Sequence, residues 1–337
     1  VGATTTMTGA GTTRFDGAFA IIGSGVHDFT AGRTLLTTGT TTWTNAAGND
    51  GQIRFGGNAR IENQGTWLDN TSVNTTINPN LGGGSFTNTV SGVYQKNTAT
   101  TVTISSQFNN DGLVDILAGS LTLTGGGTHN GDFVFAPGAQ LNLSGGTHNF
   151  LATSSLTGDA FTFSGGTVNM GGTYDISGST TVTGGNNSLV GATVLDIGDT
   201  LVISGGSLDL GALAPSITTY TQSGGTLNGT GTVTVSGAST MGSAVGATTT
   251  MTGAGTTRFD GALGIIGSGV HDFTAGRTLL TTGTTTWTNA AGNDGQIRFG
   301  GNARIENQGT WLDNTSVNTS INPNLGGGSF TNTVSGV

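Results

Sequence analysis

Apolar and polar residues alternate with period two through most of this chain, and glycine pairs punctuate the alternation at a near-constant interval. The pairs end at Gly126, Gly146, Gly166, Gly185, Gly206 and Gly225, 19 to 21 residues apart. Period-two alternation predicts strands, and a repeat near 20 residues is too short for ankyrin, tetratricopeptide or propeller units. Aligned on the glycines, the residues fall into columns. One apolar column is Leu121, Leu141, Phe161, Thr180, Leu201 and Tyr220; another, two residues on, is Leu123, Leu143, Phe163, Val182, Ile203 and Gln222. Between them runs the polar column Thr122, Asn142, Thr162, Thr181, Val202 and Thr221, and beyond the glycines a second one, Asn149, Asn169, Ser188, Asp209 and Asn228.

These columns predict an all-β fold: a parallel β-helix, or solenoid, with about 20 residues per coil and two or three short strands in each. Successive coils pair at a spacing of about 4.8 Å. Apolar columns point inward and stack like upon like, Thr, Asn and Ser columns face outward or cap turns, and each Gly-Gly marks a corner needing positive φ or close backbone approach. The sequence leaves the hand of the coil open. At this pitch the chain makes roughly 17 coils over roughly 80 Å. A flat sandwich ranks second, since it requires antiparallel alternation every 8–12 residues without a long period.

Residues 1–93 and 245–337 are the same segment written twice. At an offset of 244, 90 of 93 positions match, the exceptions being Phe19/Leu263, Ala20/Gly264 and Thr76/Ser320. The organisation predicted is residues 1–93 as a first copy, 94–244 as central coils completing a 244-residue unit, and 245–337 as a second copy, all in one solenoid. The expectation is a window from a longer array, with Tyr-Gln-Lys-Asn following Val337 and Ser-Thr-Met-Gly-Ser-Ala preceding Val1. Inside the duplicated block, Thr4–Met7 and Thr40–Trp43 lie 36 residues apart, and Arg14-Phe15 and Arg54-Phe55 lie 40 apart, each close to two coils. The run from Asp69 to Gly84, with Asn78-Pro79-Asn80 and Gly82–Gly84, breaks the pattern. It is expected to leave the rod as a loop, repeated at Asp313 to Gly328.

Composition narrows the function classes. Of 337 residues 63 are Gly, 8% are charged and none is Cys, with a net charge of −9 and a single lysine, Lys96. Hydrophobic content of 33% with so little charge does not suit a disordered chain, and four prolines without a three-residue glycine period exclude collagen. The clustered basic residues that neutralise phosphates are missing, so nucleic acid is not an expected partner. No stretch approaches the apolar length of a membrane span, and disulfides and thiolate metal sites are excluded.

Leu201–Leu210, reading Leu-Val-Ile-Ser-Gly-Gly-Ser-Leu-Asp-Leu, and Gly224–Val235, reading Gly-Gly-Thr-Leu-Asn-Gly-Thr-Gly-Thr-Val-Thr-Val, resemble the repeats of large bacterial surface proteins. The similarity is to filamentous-haemagglutinin-type adhesins and autotransporter passenger domains. It covers residues 100–245 well and the duplicated block loosely. It implies secretion, an extracellular or bacterial cell-surface location, and a stalk or adhesive role; it transfers no binding residue to this chain.

Candidate chemistry is sparse. A polysaccharide lyase or hydrolase on such a scaffold needs clustered carboxylates beside Arg, Lys or His. Glu occurs only as Glu62 and its copy Glu306, and the closest central acidic pair, Asp196 and Asp199, reads as a turn. His129 and His148, each in Gly-Thr-His-Asn, are expected on adjacent coils, where two stacked imidazoles lack a third metal ligand; the simpler reading is neutral histidines filling space near a corner. His27 and His271 are copies that stand alone. Asn49-Asp50-Gly51 and Asn110-Asp111-Gly112 read as corner turns rather than calcium loops. Pairs along the Thr column, such as Thr122/Thr124, Asn142/Ser144 and Val202/Ser204, are too mixed for a regular ice-binding array. Trp43, Trp67, Trp287 and Trp311 read as core or coil-covering residues before sugar platforms. No catalytic, cofactor-binding or metal-binding residue is assigned. The expected function is a non-catalytic structural section of a long repetitive filament or adhesin stalk. Its expected partners are further repeats end to end, and other cells, surfaces or glycans. The alternative is a ligand- or glycan-binding module using loops 69–84 and 313–328, with ice-binding and polysaccharide-degrading helices ranked below it.

Overall fold

The computed structural model describes residues 2–45, 51–243, 246–289, 295–333 and 335–337. They form a parallel β-solenoid without helices, of about 14 turns at roughly 22 residues per turn. The chain divides into two compact units, Val1–Ile176 and Ser177–Val337.

In the first unit most turns carry three strands, exemplified by Thr66–Asp69, Thr75–Leu81 and Gly84–Asn88, while further on two sides run together as the long strands Gln140–Phe150 and Ser155–Met170. Each pairs in parallel with its counterpart one turn on: Thr66 lies against Val93, Thr75 against Val102 and Ser85 against Gln107. Parallel pairing is possible because the chain returns to the same face only after the other two sides of the coil are traversed. The predicted columns are realised residue for residue. Leu121 pairs with Leu141 and Leu141 with Phe161; Leu123 pairs with Leu143 and Leu143 with Phe163. All six side chains are buried. Alternation explains why: successive strand residues face opposite ways, so Leu-Thr-Leu places both leucines inside and the threonine outside.

The second unit repeats the plan. The ladder Thr180–Leu201–Tyr220 and the ladder Val182–Ile203–Gln222 follow the predicted columns. Six strands from Ser216–Ile217 to Gly328–Asn332 form a separate parallel sheet on one face. In all six glycine pairs the second residue has positive φ, between 64° and 77°. At Gly146 a Cβ would lie 2.4 Å from the Gly126 nitrogen, so the corner column excludes side chains on both conformational and steric grounds.

Three expectations are corrected. The turns are fewer and longer than the 17 of 20 residues predicted, because pairing inside the duplicated block spans more chain: Thr40 pairs with Thr66 and Thr66 with Val93. Second, the similar-looking tetrads do not stack. Thr40–Trp43 lies on Phe19–Ile21, whereas Thr5–Met7 pairs with His27–Phe29. Arg14-Phe15 and Arg54-Phe55 likewise occupy different ladders, Phe15 under Thr37 and Phe55 over Phe29. Third, Asp69 to Gly84 does not leave the coil in the first unit. Thr75–Leu81 is a strand paired on both sides, since Thr75 and Ile77 alternate inward and Ile77 stacks on Ile53 and Ile104. Asn78, read as a loop residue, gives its amide to Gln52 Oε1 (3.2 Å) and Thr76 Oγ1 (2.9 Å). The real excursion is 70–74, held by Asn45: its Oδ1 accepts from Ser72 N and Val73 N at 2.7 and 3.1 Å. In the second copy the counterpart of Thr75–Leu81, residues 319–325, is strand only at Ile321–Asn322.

Candidate functional site

A solenoid with an apolar interior makes any polar interior residue informative, since burying it without partners is costly. The densest such cluster lies in the first unit, where three adjoining strand and corner segments meet. Asp69 and Lys96 are directly paired across the Thr66–Asp69 and Val93–Lys96 strands, and both side chains are wholly buried. Lys96 Nζ stands 3.8 Å from Asp69 Oδ2. That same oxygen accepts from the Tyr94 hydroxyl at 2.9 Å, while Oδ1 accepts from Thr71 N at 3.1 Å and Thr71 Oγ1 at 2.8 Å. Lys96 also donates to Thr100 Oγ1 at 3.1 Å and Thr98 Oγ1 at 3.4 Å. Burial pushes the lysine pKa down and Asp69 opposes it; burial pushes Tyr94 up, with the Asp69 charge adding to the shift. The cluster has the chemistry of a register lock: a pairing slipped by two residues keeps the same side chains inward but separates the carboxylate from the ammonium inside the core.

The same turns carry an asparagine ladder. Asn63 Nδ2 donates to Asn88 Oδ1 and Asn88 Nδ2 to Asn110 Oδ1, each at 2.8 Å; Asn110 Nδ2 ends on Asp132 O at 3.0 Å. Asn88 and its neighbours also cap corner carbonyls, Gly92 O and Leu113 O among them. Neither cluster was singled out in the sequence. The signal was present: Lys96 and Asn88 sit at inward positions of strands whose alternation is otherwise apolar, Val-Tyr-Gln-Lys and Ser-Phe-Thr-Asn.

His129 and His148 do lie on adjacent turns, and their rings stack with centroids 5.4 Å apart. His148 Nε2 faces Gly145 O at 3.1 Å, so it carries the proton; His148 Nδ1 then accepts from His129 Nε2 at 3.1 Å. Burial drives both pKa values down, His148 to about 4, which leaves the pair neutral. His129 Nδ1 faces no partner. Among the described residues no group of three or more His, Asp or Glu is placed to hold a metal ion. His27 and His271 are not alone: each Nδ1 meets a threonine hydroxyl, Thr5 at 2.8 Å and Thr249 at 2.9 Å.

The remaining candidates are dispersed. Asp196 Oδ1 accepts from Gly198 N at 2.8 Å in a corner turn, and Asp199 O caps Thr218 N and Thr219 N. Glu62 and Glu306 lie on the outside, each bonded to an arginine two residues before it. Trp43 and Trp67 are fully buried, Trp287 nearly so, and Trp311 half-buried. Asn49 and Asp50 lie outside the described residues, while Asn110 belongs to the ladder above.

Two hollows stand out among the described residues. One, of about 380 Å³, lies in the second unit between Thr193–Ile197 and the segment 210–216, beside Pro215. The other, of about 330 Å³, is lined by Met7, Phe19, Ile21 and Phe29 at the edge of the first turn. The matching residues of the second copy, Met251, Leu263, Ile265 and Phe273, are covered by Thr226–Asn228 and Ser239–Met241. In the second copy the equivalent space is thus filled by neighbouring strands. Comparison with protein-family models, with curated proteins and with solved structures gave no match.

Proposed function

We propose that this chain is a structural section of a long repetitive bacterial cell-surface or extracellular filament, or adhesin stalk, whose work is reach and display without catalysis. The observation that carries the reading is that a segment repeated at 90 of 93 positions forms matching parallel ladders in each unit, with Phe29, Trp43, Ile53, Phe55 and Ile61 and their copies Phe273, Trp287, Ile297, Phe299 and Ile305 all in the core. In such an array each turn is stabilised by its neighbours, so length adds stability without a new fold. Further repeats of the same sequence are the partners proposed end to end, and other cells, surfaces or glycans are proposed along the outward Thr and Asn columns.

Antibodies raised against the purified chain test the location. Labelling of intact, unpermeabilised cells, removed by external protease, is the expected result. Labelling only after permeabilisation contradicts the reading.

A further inference from the structure

The hollow beside Pro215 arises where two successive turns of the second unit differ in length. Ser188 pairs with Asp209 and Thr200 with Thr219, so the stretch 189–199 faces the stretch 210–218, which is two residues shorter. One turn on, Asp209 pairs with Asn228 and Thr221 with Thr240, and the intervening stretches 210–220 and 229–239 are equal. Where the lengths agree a ladder forms, Ser216 against Thr234 and Ile217 against Val235. Where they differ the ladder is broken: Ser216–Ile217 starts the six-strand sheet and has no pairing with Thr193–Ile197. The surplus chain bows out of the coil, and Leu195 is 67% exposed.

The break leaves main-chain groups as well as side chains without ladder partners. The carbonyls of Pro215 and Ile217 accept from Thr234 N and Ser236 N, so those residues face the later turn; strand alternation then points Ser216 at the hollow. Across it Thr193–Ile197 presents five residues of open edge, about 17 Å long. Val194, Leu195, Leu213 and Pro215 give the hollow an apolar lining. Asp196 stands among them, its Oδ1 accepting from Gly198 N at 2.8 Å. No Lys or Arg occurs between Asn97 and Thr257, so Asp196, Asp199 and Asp209 have no counter-charge in this stretch of sequence.

We propose that this hollow is a docking groove for an extended, cationic segment of a different protein, which adds as a strand along Thr193–Ile197. Main-chain pairing to the open edge supplies the adhesion. Alternate side chains of the segment select it: apolar ones cover Leu195, Leu213 and Pro215, and a Lys or Arg reaches Asp196. Charge complementarity with a stretch that carries aspartates and no cation decides the sign of the partner. A second copy of this chain, docked by the same edge, is a poor occupant. It would bring its own Asp196 against the first and no basic residue with it. The groove lies between interior turns of the second unit, so it stands apart from the array reading and either can fail alone.

The test is hydrogen exchange on the 337-residue chain with three capped hexapeptides: alternating Lys-Val, alternating Glu-Val, and the Lys-Val peptide N-methylated at every second residue. The Lys-Val peptide should slow exchange of amides in 193–197 and at Ser216 by about fivefold or more, leaving Thr256–Phe259 unchanged. The Glu-Val and N-methylated peptides should give no protection at the same concentration. Asp196→Asn keeps an oxygen for Gly198 N and should weaken the Lys-Val peptide by about fivefold or more. Leu195→Lys, at an exposed position, should abolish its binding. Unchanged exchange in 193–197 with the Lys-Val peptide overturns the proposal, as does equal protection by the Glu-Val or the N-methylated peptide. Protection spread evenly over 177–243, or undiminished by Asp196→Asn, overturns it too, because binding would then follow diffuse negative charge.

Discussion

Replacing Lys96 with methionine isolates the polar lock from the apolar core around it. Methionine keeps most of the side-chain volume, so the main loss is the ammonium group, and Asp69 is left buried with only the Tyr94 hydroxyl and Thr71 as donors. Breaking a buried ion pair by removing one partner costs about 3–5 kcal/mol. The donors that Asp69 keeps, at 2.8 to 3.1 Å, argue for the lower end, about 3 kcal/mol. Replacing both partners, Lys96→Met with Asp69→Leu, should recover most of the loss, because two charges no longer need desolvation. Nearest-neighbour coupling should confine the damage to the turns that contain and flank 66–96. Hydrogen exchange resolved by residue is the suitable assay, since a solenoid need not unfold in one step. The opening free energy of amides in Thr66–Asp69 and Val93–Lys96 should fall by about 3 kcal/mol in the single variant, with amides in Ser239–Met241 unaffected. A single-variant loss under about 0.5 kcal/mol, or strict additivity in the double-mutant cycle, would refute the lock.

Other consequences follow from the same structure. Leu143→Ala, in a fully buried position between Leu123 and Phe163, should lower local stability by about 3 kcal/mol, read by hydrogen exchange in the two adjoining turns. Asn88→Ala leaves Asn63 and Asn110 without their ladder partner and should cost about 2 kcal/mol, whereas Asn169→Ala on the outer Asn149–Asn169 pair should stay within about 0.5 kcal/mol. Gly146→Ala places a methyl group at a residue with φ of 67° and against the Gly126 backbone, and should destabilise its corner more than Gly138→Ala, whose Cβ would meet open space at φ of 82°. The buried histidines give a pH dependence. His148, lowered to about 4 by burial, stays neutral in the fold while the unfolded chain protonates below about 6.5. Its contribution is therefore fully present above about pH 6.5 and is lost as pH falls toward 4. Denaturation midpoints measured between pH 7 and 4.5 should decline, and His148→Gln should flatten that slope; an unchanged slope rules out the assignment.

The central columns were legible because one residue type recurs at one interval: Leu121, Leu141 and Phe161 share size and spacing, and the second glycine of each pair must take a left-handed backbone. The duplicated block was less legible for a physical reason. Its turns carry excursions such as 70–74, pinned by Asn45 some 27 residues away, and such long-range caps leave no local period. Asn78-Pro79-Asn80 carried turn chemistry yet lies within a strand, because Thr75 and Ile77 have core positions to fill and Asn78 finds side-chain partners. The Asp69–Lys96 lock was hidden by pair spacing: residues 27 apart show no relation until the turn length is known. The histidine pair was placed on adjacent turns from sequence, but its hydrogen-bond chain to Gly145 depends on a ring offset that no spacing reveals.

The central claim is that chain segments one turn apart lie directly over each other in register, and the absence of cysteine makes it directly measurable. Cysteines introduced in pairs at Thr122, Asn142 and Thr162 probe the outward column in which these residues are consecutive partners. Partners about 5 Å apart lie within the span a disulfide bridges. Rapid oxidation of Thr122→Cys with Asn142→Cys, and of Asn142→Cys with Thr162→Cys, is the predicted result, with no crosslink for Thr122→Cys with Thr162→Cys, two turns apart. Efficient crosslinking of the outer pair, or none between neighbours, would contradict the coil.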